Sequence, residues 1–327
     1  MERTVDKNSE IISKIHEYIQ KEDDFLITTH INPDGDSITS VLVFASILKH
    51  YGKNYQILLN DPVPKKFDFL DDLHEIQPYH GNTMSFDPKV MIILDSSEID
   101  RIGPLNVILK EKSFVINIDH HPSNQNFGDL NLIDPQESST VEIVYRLFIY
   151  CNLQVTPMIA TMVYTGIMCD TGRFLFPNTN SRSLSVCSEM INSGADSKRI
   201  AEYVYFRTSQ KTIQALAQAL STIEFHFHGT VACIHLLNGF LDKEEKIDTE
   251  GFVDYLMAVD GTEVEFFMME IEPKLFRVSF RSKHTVNVNK IAKEFNGGGH
   301  KRASGCCISG TVEEVKTKIL ETLKDHL

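Results

Sequence analysis

Three short strand-like runs, each ending abruptly in a residue able to bind a metal ion, constrain this chain more than any other feature. Phe25–Thr29 runs into His30, Val90–Leu94 into Asp95, and Phe114–Ile118 into Asp119, His120 and His121. Continuous apolar runs of this length read as strands buried on both faces, the usual state of a parallel sheet covered by helices. Helical patterns separate them. Ser37–Tyr51 places Ile38, Val41, Leu42, Ala45 and Leu48 at helical spacing and stops at Gly52. Ser138, Ser139 and Thr140 open a helix through Val141–Ile149, and Thr156-Pro157 forms the cap and first turn of one running to about Met168. Asn180–Asn192 reads as helix stopped by Gly194. The alternation predicts an α/β fold whose N-terminal part is a parallel sheet.

Past residue 195 or so the pattern changes. Ala195–Leu220 is mostly helical. Strand-like runs follow at Ile223–His228, Val231–Leu237, Val264–Ile271 and Phe276–Arg281, with helical stretches at Phe252–Val259, Val286–Phe295 and Val312–Leu323. The 327 residues suit two domains at roughly 100–200 residues each. The expected division is a first domain over 1–192, a linking helix over 193–216 and a smaller α/β domain over 217–327. His226 and His228 alternate with Phe225 and Phe227 and are expected to share one sheet face without acting as ligands. Asp242–Glu245 reads as a solvated helix start and Met268–Met269 as core.

In an open α/β sheet, ligands gather at the carboxyl ends of the strands. His30, Asp95 and Asp119–His121 should therefore meet, joined by Asp34 and Asp36 of the INPDGD segment and by Asp170 at the end of a helix. Singly, each has an ordinary alternative. Asp34, Asp36 and Asp95 could be turn or capping residues, and Asp170 could end a helix. Together, carboxylates and imidazoles without thiolates suit borderline-hard divalent ions: Mn²⁺, with Mg²⁺, Co²⁺ or Fe²⁺ as substitutes. Four carboxylates and two imidazoles can hold two ions, and four negative charges offset two divalent cations. Such a site admits an anionic phosphate although the chain carries a net charge of −13. That charge opposes binding to long duplex nucleic acid or an anionic membrane. The apolar stretches, such as Val41–Leu48, fall far short of the roughly 18–20 residues that span a bilayer. Six cysteines without a C-x-x-C pair read as reduced thiols of a cytoplasmic protein, with Cys306 and Cys307 on opposite faces of a strand.

THINPDGDS, VMIILDSSE, NIDHHPSNQNFGD and GIMCDTGRF resemble the four motifs of the DHH phosphoesterase superfamily, named for the run Asp119-His120-His121. FRSKHTVNVNKIAKEFNGGGHKRASG resembles the DHH-associated domain. HHPSN, IDP and SSTVEIVY, with the chain length, resemble the stand-alone nanoRNase/pAp-phosphatase group. The resemblance implies a catalytic DHH domain, a substrate-binding DHH-associated domain and an active site in the cleft between them. It implies that His30, Asp34 and Asp95 hold one Mn²⁺ and that Asp36, Asp95, His120 and Asp170 hold the second, Asp95 bridging. His121 would contact the phosphate or protonate the leaving oxygen, and Asp119 would orient a neighbouring group. Arg281, Gly297, Gly298, Gly299, His300 and Ser304 would bind the nucleotide, through close approach of glycine N–H groups to phosphate and a planar guanidinium. Arg302 either adds a phosphate contact or faces water.

The implied activity is a metal-dependent hydrolase. It would cut short oligoribonucleotides (nanoRNA) to mononucleotides and convert adenosine 3′,5′-bisphosphate (pAp) to AMP. The alternatives are hydrolysis of cyclic di-AMP or linear pApA by the same chemistry, and a nucleotide-sensing module without turnover. A homodimer is compatible with the resemblance.

Overall fold

Strands β1 (Phe25–Thr29), β2 (Tyr55–Leu59), β3 (Ile76–Pro78), β4 (Val90–Leu94), β5 (Phe114–Asp119) and β6 (Leu130–Ile133) form one parallel sheet in the order β3-β2-β1-β4-β5-β6. The computed structural model describes residues 7–81, 84–110, 113–240, 247, 249 and 251–327. The chain divides into two units, Met1–Arg207 and Thr208–Leu327.

Within the first unit the strand order reverses between β1 and β4. The chain winds outward through β2 and β3, then returns to β4 and winds the other way. The crevice left at the carboxyl ends of β1 and β4 is where open sheets of this kind place ligands. Both strands are buried along all five residues, which explains the apolar sequence of β4 and of the first three residues of β1, with Thr28 and Thr29 buried behind them. Helices α1 (Lys7–Lys21), α2 (Gly35–His50), α3 (Thr140–Tyr150), α4 (Pro157–Asp170), α5 (Ser181–Asn192) and α6 (Ser197–Tyr205) complete the unit. Asp34 caps α2 by accepting from the Ser37 N–H, and the Ser37 hydroxyl bonds back to Asp34. Thr156 caps α4, with Pro157 in its first turn. Gly166 lets α4 lie directly on α2 and α3: a Cβ there would sit 2.4 Å from Thr39 Oγ1 and 2.7 Å from Val141 Cγ1. Three helices that carry or support site residues are thus locked together.

The second unit holds α7 (Gln210–Leu220), β7 (Glu224–His226), β8 (Val231–Leu236), β9 (Val264–Glu272), β10 (Leu275–Ser282), α8 (Val288–Glu294), β11 (Gly298–Gly299), β12 (Ala303–Ser309) and α9 (Val312–Lys324). Its sheet runs β11-β12-β10-β9-β8-β7, with β8 and β9 parallel and the other neighbours antiparallel. Period-2 alternation splits the buried residues between its faces. Phe266, Met268, Val278 and Phe280 join Ile291 of α8 and Ile319 of α9, while Ile234, Phe267 and Met269 join Ala215 and Ala219 of α7.

Several local expectations needed correction. The strand expected over Ile223–His228 stops at His226, because Phe227 and His228 take φ of 50° and 57° in a tight turn. His226 and His228 therefore do not share a sheet face. The stretch 193–216 contains α6 and the start of α7, with a break around Arg207, rather than one linking helix. Phe252–Val259 is a 3₁₀ segment, Val253–Ala258. Helix α1 and the short strands β2, β3 and β6 had no counterpart in the sequence reading. Asp242–Glu245 lies outside the described residues. The six cysteines are free, with Cys306 buried and Cys307 exposed. Among the described residues no helix is long and apolar enough to cross a membrane.

Candidate active site

The expected ligand residues converge at the reversal point of the first sheet. His30 leaves the end of β1, and its ring Nδ1 lies 2.8 Å from the Ile31 carbonyl oxygen. A carbonyl only accepts, so Nδ1 carries the proton, and the Nε2 of the neutral ring keeps its lone pair. That Nε2 faces Asp95 Oδ2 at 3.4 Å and Asp34 Oδ2 at 4.0 Å. Asp34 divides its carboxylate: Oδ1 caps α2 and Oδ2 faces His30.

Asp95 turns sharply out of β4 with φ of 55° while its N–H donates to the Ile118 carbonyl. Its carboxylate is buried at the centre of the cluster. Oδ2 faces His30. Oδ1 lies 3.8 Å from His120 Nε2 and 3.6 Å from His121 Nδ1, and accepts from the Thr140 hydroxyl at 2.9 Å. His120 Nε2 is 3.6 Å from Asp170 Oδ2, at the last residue of α4. Asp36, fully buried in the first turn of α2, accepts from the N–H groups of Thr140 and Val141 at 2.6 and 2.8 Å. Two donor groups result, His30/Asp34/Asp95 and Asp36/His120/Asp170, with ligand atoms within 4.8 Å of one another in each.

His121 and Asp119 form a separate pair. The ring Nδ1 donates to Asp119 Oδ1 at 2.6 Å, and Asp119 Oδ2 accepts from Asn124 Nδ2 at 2.6 Å. Burial favours the neutral form of Asp119, but His121 and Asn124 outweigh it and hold its pKa below the ordinary value.

The electrostatics demand cations. Burial, then the neighbouring charges of Asp95, Asp170 and Asp34, push Asp36 well above the usual carboxylate range. Burial, then Asp95 and Asp34, do the same to Asp170. For Asp95, burial is outweighed by His30, His121 and His120, which hold it well below that range. Burial also opposes a charge on His30, but Asp95 and Asp34 raise its pKa. Without cations, Asp36 and Asp170 are pushed toward their protonated forms. Divalent ions would replace those protons, and an oxygen-and-imidazole donor set fits them.

In the second unit, Arg281 near the end of β10 pairs in register with Ala303, and Gly299 with Ser304, which brings the expected substrate-binding residues to one end of the sheet. Arg281 Nε lies 2.8 Å from Asp254 Oδ1, so part of its guanidinium is already committed. Ser304 is buried and its hydroxyl donates to the His300 carbonyl, which shapes the turn rather than presenting a free hydroxyl. Arg302 donates to the Val286 carbonyl at 2.9 Å, a structural bond that its sequence position did not suggest. Elsewhere in this unit Glu224, His226 and Cys233 bring donor atoms together, but Lys316 already supplies the cation there, bonded to both Glu224 oxygens.

Three residues of the site escaped the sequence reading: Thr140, Asn124 and Asn178. The last donates to Asp170 Oδ2 at 3.0 Å and to the Ser138 carbonyl at 2.9 Å. Their signal was weak, since Ser-Ser-Thr reads as a helix start and Asn124 and Asn178 as loop residues.

Residues 24–167 match the DHH family, N-terminal domain, and residues 230–327 match the DHHA1 domain. The chain is 33% identical over 307 residues to the bifunctional oligoribonuclease and PAP phosphatase NrnA of Thermus thermophilus, covering 92% of this chain and 89% of that protein. It is 28% identical over 312 residues to the protein of the same name from Bacillus subtilis, covering 93% and 96%. An exopolyphosphatase-related protein from Bacteroides fragilis superposes with a TM-score of 0.89 at 27% identity, over 97% of this chain and 96% of that one. A doubly wound sheet with this cluster at its switch point defines a metal-dependent hydrolase of phosphate esters. The chain belongs to the DHH family, with a DHHA1 domain following the DHH domain.

Proposed function

We propose that this protein hydrolyses short oligoribonucleotides to mononucleotides and removes the 3′-phosphate of pAp, working in the cytoplasm with two Mn²⁺ ions. The observation that carries the reading is the position of Asp95, whose two carboxylate oxygens face different donor groups. His30, Asp34 and Asp95 would hold one ion, and Asp36, Asp95, His120 and Asp170 the other. The relatives from Thermus thermophilus and Bacillus subtilis, an oligoribonuclease and PAP phosphatase by name, support the substrate class.

When bound, such a pair of ions supplies Lewis-acid charge that acidifies water and offsets the charge of the phosphate. The chain's own groups do the rest. The bond from His121 Nδ1–H to Asp119 supports a role in which the opposite ring nitrogen meets substrate and, in the protonated imidazolium, donates its proton to the leaving oxygen. The backbone at Gly298 and Gly299, the side chain of His300 and the part of the Arg281 guanidinium not turned to Asp254 and Phe280 hold the nucleotide phosphate, whereas the Gly297 N–H is already donated to the Ala292 carbonyl at 2.8 Å.

The test is direct. Purified protein with Mn²⁺ is given labelled two- to five-residue RNA, pAp and a chromogenic phosphodiester. Mononucleotides from the RNA and AMP from pAp are expected. RNA and pAp that survive while the chromogenic ester is cut would overturn the substrate assignment.

A further inference from the structure

We infer that Thr140 is a positioning residue of the metal centre, orienting Asp36 and Asp95 together; this rests on the metal reading above. Helix α3 begins without a side-chain cap of its own. Ser139 stands at the N-cap position and makes no capping bond. The role passes to Asp36 from α2. Its Oδ2 accepts from the Thr140 N–H and its Oδ1 from the Val141 N–H, a carboxylate seated on the positive end of a helix. Both oxygens are thus tied to the start of α3, and Oδ1 also accepts from the Ser40 hydroxyl at 3.4 Å, which fixes the carboxylate.

The hydroxyl of the same Thr140 reaches the other carboxylate. Asp95 Oδ1 accepts from Thr140 Oγ1 at 2.9 Å, and because a carboxylate only accepts, the hydroxyl proton must point at it. The terminal torsion of an aspartate is broad and roughly two-fold, so the backbone alone does not choose its angle. The Thr140 bond selects the orientation in which Oδ1 faces His120 and Oδ2 faces His30. A bridging role requires that orientation. Thr140 is itself fully buried, so its geometry is set by packing rather than by solvent.

The experiment compares wild-type protein with Thr140→Val, which keeps the shape and removes the hydroxyl, and Thr140→Ser, which keeps the hydroxyl. Mn²⁺ affinity is measured by calorimetric titration of metal-free protein, alongside kcat and KM for pAp at saturating Mn²⁺. Thermal melts without metal establish that each variant is folded, and Thr140→Ala replaces Thr140→Val if that variant is not. Loss of an outer group that orients a metal ligand costs roughly 10- to 100-fold in affinity or activity. Thr140→Val is expected to weaken Mn²⁺ binding by about that factor, with KM for pAp nearly unchanged, and Thr140→Ser to restore most of the affinity. A folded Thr140→Val protein that binds Mn²⁺ as tightly as wild type would overturn the role of Thr140 and leave the metal reading intact. Equal loss in Thr140→Ser would overturn it too. Wild-type protein that binds no Mn²⁺ would instead overturn the metal reading and, with it, this inference.

Discussion

His121 and Asp119 are joined ring to carboxylate at 2.6 Å, and Asp119 is held in turn by Asn124, so the imidazole has one orientation and one tautomer. This chain of bonds runs beside the candidate ligand cluster and meets it at several points: His121 Nδ1 approaches Asp95 to 3.6 Å, Asp119 Oδ1 accepts from the His120 N–H at 2.9 Å, and the His120 and His121 rings pack edge to face. Under the proposed function His121 serves proton transfer, a role that this fixed ring suits.

His121→Ala should therefore lower turnover of RNA by roughly 10²–10⁴-fold, the usual weight of a general acid. A p-nitrophenyl ester, whose leaving group needs no proton, should lose much less. The ratio of the two losses, measured on one preparation, decides the matter: equal losses would contradict the acid role.

Asp95→Asn is the informative change at the centre of the cluster. Asp95 has φ of 55°, a conformation that Asn tolerates and Ala does not, so the turn after β4 should survive. The amide supplies one neutral acceptor where two charged oxygens stood. Elemental analysis should show lost metal, activity should vanish on every substrate, and circular dichroism should be unchanged. Full metal content with turnover would contradict Asp95 as the bridge.

The glycine run of the second unit separates packing from recognition. A Cβ on Gly297 would lie 2.2 Å from the Gly305 carbonyl oxygen, and Gly299 has φ of 134°, so both glycines are required by the fold. Among the described residues nothing lies within 4 Å of a Cβ on Gly298. Gly298→Ala should leave stability and metal content unchanged yet reduce kcat/KM for pAp if phosphate approaches this backbone. His300→Ala should behave alike, with a lost charge-assisted contact of roughly 1.5–3 kcal/mol giving about 10- to 150-fold. Unchanged kinetics in both variants would remove the run from the binding site.

Glu142 introduces a pH dependence of stability. It is buried beside Glu137, and burial, then that neighbour, raise its pKa from 4.5 to about 7. A raised carboxyl pKa means that the folded protein keeps a proton the unfolded chain has released. Stability is therefore lost as pH rises from about 4.5 through about 7, by up to about 3 kcal/mol. Glu142→Gln abolishes the ionisation. Its melting temperature relative to wild type should climb between pH 5 and pH 8, and a difference independent of pH would contradict the assignment.

The convergence of these carboxylates and imidazoles was legible in the sequence because of how parallel strands bury themselves. A strand covered on both faces is mostly apolar, so the ionisable residue that ends the run marks the sheet's carboxyl edge, and His30, Asp95 and Asp119 all stand at such ends. The short strands β2, β3 and β6 did not declare themselves, since three to five residues carry too little periodicity to separate strand from loop. The strand cut short at His226 was lost to a left-handed turn at Phe227 and His228 that no pattern of apolar residues announces.

What the sequence by itself determined is the inventory of groups and the order in which strands deliver them. Which oxygen faces which nitrogen was decided only by tertiary structure. Asp36 meets the amides of α3 across 104 positions, and Asp95 meets the Thr140 hydroxyl across 45. Hydrogen bonds act over about 3 Å and depend on angle, so they follow from the packing of α2, α3 and β4 and leave no periodic trace along the chain.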